Sequence, residues 1–235
     1  MKIRRVACMD YVPVEKYARF GDIGFNAGII LKGLWNTQDH IYDKLESEIS
    51  SSGKKIVAPP QSHGSNVAIL DNSYNDKIKA DGVLCGSGDC CLTVKTADCL
   101  PLLLADPETR FFGTVHIGWR GLAGGIIENL FLSIKNLDID FDRLYISLGP
   151  SIGDCCFEVG GEVAVLFNDD TVTARNDRYF LNIKGLVKKR LLSLGVLSNN
   201  ILDVDECTGC NADKYYSYRR DGHARIQMVS FICRK

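Results

Sequence analysis

The sequence predicts an α+β fold in a single domain, residues 1–235, with mixed β-sheets flanked by helices. Three observations carry that expectation. Strand-like and helix-like segments follow one another in an irregular order, not the strict alternation of a doubly wound parallel sheet. The sequence contains no internal repeat, low-complexity tract or linker long enough to divide two domains. At 235 residues and 46% hydrophobic content the chain suffices for one large core.

In order along the chain, residues 19–30 (RFGDIGFNAGII) are glycine-rich and read as irregular. Asn36 to Ile49 reads as a helix, with Asn36 or Thr37 as cap and Ile41, Leu45 and Ile49 recurring at helical spacing. Ile56 to Ala58 is a short strand stopped by Pro59-Pro60. Asn66 to Leu70 and Asp81 to Cys85 are further strands, the first followed by a polar turn through Asn75. Three apolar runs crowd the stretch from Thr93 to Gly125: one ends at Asp98-Cys99, one continues through Leu104, and one runs from Phe111 to Val115 after a turn at Asp106-Pro107.

The glycines after His116 precede a helix with Ile126, Ile127, Leu130, Phe131 and Ile134 on one face. Leu144, Ile146 and Leu148 alternate as a half-buried strand does, and residues 149–153 form a turn. Helices are expected at Gly161–Phe167 and Ile183–Leu194, and strands at Ile201–Val204, Tyr215–Tyr218 and Gln227–Ile232.

A formal charge of −1 offers no basic field for nucleic acid or an anionic membrane. The basic start of the chain is not followed by the apolar stretch of a signal peptide. No apolar run approaches the roughly 20 residues that span a bilayer. A cytoplasmic protein is expected, and its ten cysteines are then reduced thiols rather than disulfides. Most read as small buried hydrophobes, Cys8, Cys85 and Cys233 among them.

Candidate chemistry gathers at the strand ends. Of four histidines, His40 lies on the polar part of the first helix, whereas His63 and His116 each end an apolar run and stand beside glycines. Together with Cys99 they make three soft or borderline donors, the set preferred by zinc or copper, and three donors leave a fourth tetrahedral position open. Asp98 adjoins Cys99. In an extended strand the two side chains point to opposite faces, so Asp98 suits a hydrogen-bond partner of a ligand, or a base, better than a ligand. Cys207 and Cys210 form a lone C-x2-C, a weak zinc signal. Cys155-Cys156 would supply a second pair only if two adjacent, diverging side chains turned to one ion, so neither a second zinc nor a redox pair is expected. Arg120, followed by glycines at a helix start, and the Tyr218-Arg219-Arg220 stretch suit an anion or a nucleobase. A strand with a solvated basic end explains the latter equally well. The absence of a Walker motif and of GxGxxG argues against a conventional ATP or NAD site.

Taken together, these motifs are recognisable. Gln61-x-His63-Gly64, Ala80-Asp81-Gly82, Thr96-Ala97-Asp98-Cys99-Leu100-Pro101, His116-x-Gly118-Trp119-Arg120-Gly121, Leu148-Gly149-Pro150-Ser151-Ile152, Phe157-Glu158-Val159 and Tyr216 to Gly222 resemble the YfiH family, also called the polyphenol oxidase or laccase-domain family. The resemblance runs from about residue 56 to the C-terminus, and Gly222-His223-Ala224-Arg225 departs from the family's usual Thr-Gly-Arg. It implies a compact α+β domain with zinc held by His63, Cys99 and His116. It further implies phosphorolysis of adenosine, inosine and S-methyl-5′-thioadenosine, with adenosine deamination as an added activity. The partners are then purine nucleosides and phosphate. Asp98, Cys99 and Arg120 become the catalytic candidates, with Gln61, Arg120, Tyr218, Arg219 and Arg220 on the substrate. The older laccase label implies copper, but multicopper chemistry needs more histidines than four. An amide hydrolase using Cys99 or zinc, acting on peptidoglycan precursors, is the alternative. Monomer and homodimer both stay open.

Overall fold

At the centre of this protein are strands whose side chains are buried at every position rather than at alternate ones. The computed structural model describes residues 4–6, 9–11, 17–31, 54–70, 78–86, 90–137, 139–167, 170–222 and 226–235. In chain order the elements begin with β1 (Arg4–Val6), β2 (Met9–Tyr11), α1 (Ala18–Asp22), β3 (Phe25–Ile30), β4 (Lys55–Val57), β5 (Val67–Leu70) and β6 (Gly82–Cys85). Then come β7 (Cys90–Thr96), β8 (Leu100–Ala105), β9 (Phe112–Ile117), α2 (Trp119–Ala123), α3 (Ile126–Lys135) and β10 (Tyr145–Leu148). The last part holds β11 (Glu158–Val159), α4 (Gly161–Ala164), β12 (Val172–Arg175), β13 (Arg178–Leu181), α5 (Ile183–Ser193), β14 (Ile201–Asp203), α6 (Tyr218–Asp221) and β15 (Met228–Arg234).

A six-stranded mixed sheet runs β14-β10-β8-β9-β6-β5, and a four-stranded one runs β3-β15-β7-β4. The β8–β9 hairpin sits in the middle of the larger sheet, with Pro101 opposite His116 and Leu103 opposite Thr114. All six residues of β8 are buried because both faces are covered. Leu102 and Leu104 join α3 and α5 in one core, packed with Ile127, Leu130, Leu186 and Leu191. Leu103 and Ala105, one position out of phase, join a second core with Phe25, Ile29, Leu92, Val94 and Ile232 of the smaller sheet. The larger sheet thus lies between helices on one side and the smaller sheet on the other, in agreement with the predicted α+β class. Among the described residues no helix is long and apolar enough to cross a membrane.

Several local expectations need correction. Residues 19–30 are not irregular: they hold α1 and β3, and β3 pairs along its length with β15 from the far end of the chain. Pairing at that separation leaves no mark on the local pattern. Tyr215–Tyr218 is not a strand. Ser217 caps α6 by accepting from Arg220 N at 3.2 Å, and Asp221 Oδ2 accepts from Ser217 N at 3.1 Å; this capping outweighs the β propensity of the tyrosines. Residues 172–181, which carry no predicted strand, form the β12–β13 hairpin, and Asn176 and Asp177, both at positive φ, make the two-residue turn that such hairpins favour. The helix expected at Asn36–Ile49, the turn through Asn75, Cys8, His40 and His223 lie outside the described residues.

Candidate functional site

Two of the connections that carry the chain from the smaller sheet to the larger each hold a candidate ligand. Residues 58–66, between β4 and β5, carry His63. The three residues between β7 and β8 carry Asp98 and Cys99. Such short crossings demand unusual backbone: His63 has φ +58° and Asp98 φ +88°, in the left-handed region that ordinary side chains avoid. The expected extended strand through Asp98-Cys99 is therefore a bend. The left-handed turn at Asp98, not a strand pleat, sends the two side chains to different partners. His116 enters from β9, directly alongside.

Asp81, immediately before β6, organises this junction. Its carboxylate accepts from the backbone N–H groups of Ser62, His63 and Gly64 at 3.1, 2.9 and 2.8 Å, and from Ser62 Oγ at 2.9 Å. The same carboxylate lies 2.7 Å from His116 Nδ1, and the Asp81 carbonyl accepts from His116 N at 2.6 Å. Burial pushes the Asp81 carboxyl up, but the bond from His116 and those from Gly64 and Ser62 outweigh it and hold it at about 2. An ionised Asp81 fixes the His116 tautomer with Nδ1–H donating, which frees Nε2 for a ligand. Gly121 permits the approach of α2 to this loop, since a Cβ there would stand 2.5 Å from the Gly64 carbonyl oxygen.

The structure brings His63, Cys99 and His116 together: their ligand atoms all lie within 4.8 Å of one another, and the two imidazole rings meet edge to face at 4.7 Å. Burial pushes the Cys99 thiol up, yet its hydrogen bonds with His116 and His63, and their charge, pull it to about 7. Burial likewise pushes His116 down, and Asp81 and Cys99 overcome this to raise it to about 9. Two imidazoles and an acidic thiol suit a zinc ion, with a fourth position left for water or substrate.

A cleft of about 490 Å³, mouth included, opens beside these donors. Trp119, Phe157, Ile152 and Ile183 give it apolar walls, and Asp98, Cys99, His63 and Arg120 supply the polar groups. The guanidinium of Arg120 lies 4.4 Å over the Trp119 ring. Asp98 is buried and fully engaged: Oδ1 accepts from Thr208 Oγ1 at 2.6 Å, and Oδ2 from Ser217 Oγ at 3.0 Å and Arg219 N at 2.7 Å.

The other sequence-predicted residues divide. Arg219 donates to the Glu158 carbonyl at 2.8 Å and lies 5.7 Å over the Phe157 ring, at the rim of the cleft. Tyr218 is exposed nearby in α6. Gln61 binds both backbone groups of Lys95, at 2.8 and 2.9 Å, and Arg220 donates to the carbonyls of Thr208, Gly209 and Tyr215 and to Asp221. Neither lines the cleft. Asp81 and Ser217 stand in the sequence only as members of motifs, and Thr208 only as a spacer between Cys207 and Cys210. An Asp placed just before a strand and followed by Gly was the signal available for the first; the other two carried none.

The divergence expected of the adjacent Cys155 and Cys156 is not observed. Cys155, Cys156, Cys207 and Cys210 do converge, with ligand atoms within 4.8 Å of one another. Cys85 and Cys233 are buried as expected, as are Cys90 and Cys91.

Fold and cleft together define a mixed α+β protein with a His–Cys–His donor set at the junction of two sheets. The chain belongs to the multi-copper polyphenol oxidoreductase laccase family, the YfiH family, whose model matches residues 37–235. It is 33% identical over 202 residues to the purine nucleoside phosphorylase YfiH of Escherichia coli, covering 83% of this chain and 81% of that protein. It is 29% identical over 197 residues to the adenosine deaminase RL5 of an unknown prokaryotic organism, covering 77% and 75%. Mouse purine nucleoside phosphorylase LACC1 is 28% identical over 198 residues; the match takes in 80% of this chain but only 46% of the mouse protein. Among solved structures, YlmD of Geobacillus stearothermophilus superposes with a TM-score of 0.82 at 22% identity, over 99% of this chain and 98% of that one.

Proposed function

We propose that this protein is a zinc-dependent purine nucleoside phosphorylase. It cleaves adenosine, inosine and S-methyl-5′-thioadenosine with inorganic phosphate, and deaminates adenosine as a second activity. The observation that carries this reading is a single cleft lined by His63, Cys99 and Arg120, with buried His116 completing the donor set beside it. The names of relatives at about 30% identity, phosphorylases and a deaminase, support it.

His63, Cys99 and His116 hold the zinc, with Asp81 orienting His116. Zinc held by these residues would supply a Lewis acid. Trp119, Phe157, Ile152 and Ile183 bury the purine and exclude water. Breaking the ribosyl–purine bond leaves positive charge on the sugar, so phosphate must sit on the face opposite the base. Arg120 positions it: among the described residues its guanidinium forms no ion pair, and stacking on Trp119 holds it at the mouth. Arg219 lies close enough to the rim to assist. Asp98 holds the segment 217–219 in place through its bonds to Ser217 and Arg219. The enzyme works in the cytoplasm, where its thiols stay reduced.

One observation favours a second reading. Cys99, pulled to about 7, stands beside His116, raised to about 9, which is the thiolate–imidazolium arrangement of a cysteine nucleophile and its base. The protein would then be an amide hydrolase. Metal content and inosine phosphorolysis, measured on wild type beside Cys99→Ala, separate the two. The phosphorylase requires the variant to carry one zinc per chain fewer and to lose phosphorolysis. A variant that loses activity at unchanged metal content makes Cys99 the nucleophile and sinks the zinc reading.

A further inference from the structure

Two turns far apart in the chain place four thiols at one point on the surface. Cys155 and Cys156 lie in the turn at 154–156, while Cys207 pairs with Ser151 in a β-bridge and Cys210 lies in the turn that follows it. Cys210 Sγ stands 3.5 Å from both Cys155 Sγ and Cys156 Sγ, all four sulfurs lie within 4.8 Å of one another, and all are free thiols. A zinc ion bound tetrahedrally at about 2.3 Å from each sulfur needs sulfurs about 3.8 Å apart. The observed spacings, 3.5 Å for two pairs and none above 4.8 Å, are compatible with that figure.

We infer that Cys155, Cys156, Cys207 and Cys210 form a second metal centre, a closed structural zinc site separate from the His63–Cys99–His116 cleft. The donor set points to the ion: four soft sulfurs suit zinc, and four protein ligands leave no position for substrate. The adjacency of Cys155 and Cys156 is no obstacle, because the chain folds tightly there. The N–H groups of Cys156 and Phe157 both donate to the Gly153 carbonyl, at 2.9 and 2.8 Å. Adjacent side chains that would diverge on a strand can both reach one sulfur of the opposite turn.

The surroundings are those of a ligand shell. Gly153 N donates to Cys207 Sγ at 3.1 Å, the kind of outer bond that supports a thiolate ligand. The Cys207 carbonyl accepts from Asn211 N at 3.1 Å and from Asn211 Nδ2 at 2.8 Å, which holds the second turn closed. At position 209 a Cβ would stand 3.0 Å from both Cβ and Sγ of Cys156, so glycine there eases the close approach of the two turns. Partial exposure of the sulfurs leaves the ion a way in.

The site has a place in the architecture. Phe157, next to Cys156, is a wall of the cleft, and Thr208, next to Cys207, donates to Asp98. An ion across the two turns therefore fixes two supports of the cleft in one rigid unit. The inference stands independently of what the cleft does.

Cobalt tests it, because cobalt bound by thiolates shows sulfur-to-metal charge-transfer absorption together with the visible bands of a tetrahedral ion. The full-length Cys99→Ala variant, reduced and treated with chelator, lacks the cleft thiolate. It should still bind one equivalent of Co²⁺ with that absorption, and adding Cys207→Ser and Cys210→Ser should abolish it. Should the combined variant fail to fold, Cys155→Ser, which keeps three thiolates, should shift the bands and weaken Co²⁺ binding. No thiolate-to-cobalt absorption in Cys99→Ala overturns the inference. So does an intact mass of freshly purified protein that is short of hydrogens through disulfides joining these cysteines.

Discussion

Asp81 Oδ1 lies 2.7 Å from His116 Nδ1, and the same carboxylate gathers the backbone N–H groups of Ser62, His63 and Gly64. One side chain thus sets the orientation of one candidate ligand and the backbone of another. Asp81→Asn should weaken zinc binding by about 10- to 100-fold, read by competition with a chelating dye. The pH dependence has a definite sign. Because the Asp81 carboxyl is held at about 2, below its ordinary 3.8, its contribution to stability is present above about pH 4 and lost as pH falls towards 2. Acid unfolding of Asp81→Asn should lack that component, and identical acid transitions in the two proteins would contradict this account.

Asp98 accepts from Thr208, Ser217 and the Arg219 backbone, with no oxygen left free of a donor. In Asp98→Asn the amide NH₂ must face one of those donors inside the protein. The expected loss is about 1–3 kcal/mol of stability, visible as a lowered melting temperature, together with a fall in activity. A variant with unchanged melting temperature and lost activity would instead identify Asp98 as a proton-transfer group.

The two arginines should separate cleanly. Arg120 faces the cleft, so Arg120→Ala should raise the KM for phosphate with little change in melting temperature. Arg220 ties together Thr208, Gly209, Tyr215 and Asp221, so Arg220→Ala should lower the melting temperature while leaving phosphate KM nearly unaltered in the folded fraction. A normal phosphate KM in Arg120→Ala would remove Arg120 from the proposed mechanism.

Cys99, with its thiol pulled to about 7, should be alkylated by iodoacetamide in chelator-treated protein with a half-maximal rate near pH 7. His116→Gln removes the principal favourable hydrogen bond and should move that midpoint up. Added zinc should protect the thiol. A midpoint at the ordinary thiol value in wild type would show that the imidazoles do not act on it.

Composition and local patterning determined much of this protein. The apolar runs at 100–105 and 112–117 are legible as strands because burial on both faces leaves few polar positions, Thr114 and His116 being the exceptions, and Ile126 to Lys135 because its apolar residues repeat at helical spacing. His63 and His116 are legible because imidazoles beside glycines at the ends of apolar runs are a local signal, and Cys99 because it stands at the end of a neighbouring run. Tertiary structure alone decided the rest. Which way Asp98 and Cys99 point depends on a left-handed bend forced by the crossing between sheets. That Arg220 is spent on backbone carbonyls while Arg120 faces the cleft depends on where two remote turns meet. The convergence of Cys155 with Cys210, 55 positions apart, is a matter of chain closure that no spacing rule encodes. Local residue preferences act over a few positions, whereas the sites of this protein are assembled by contacts between segments that pairing and burial bring together.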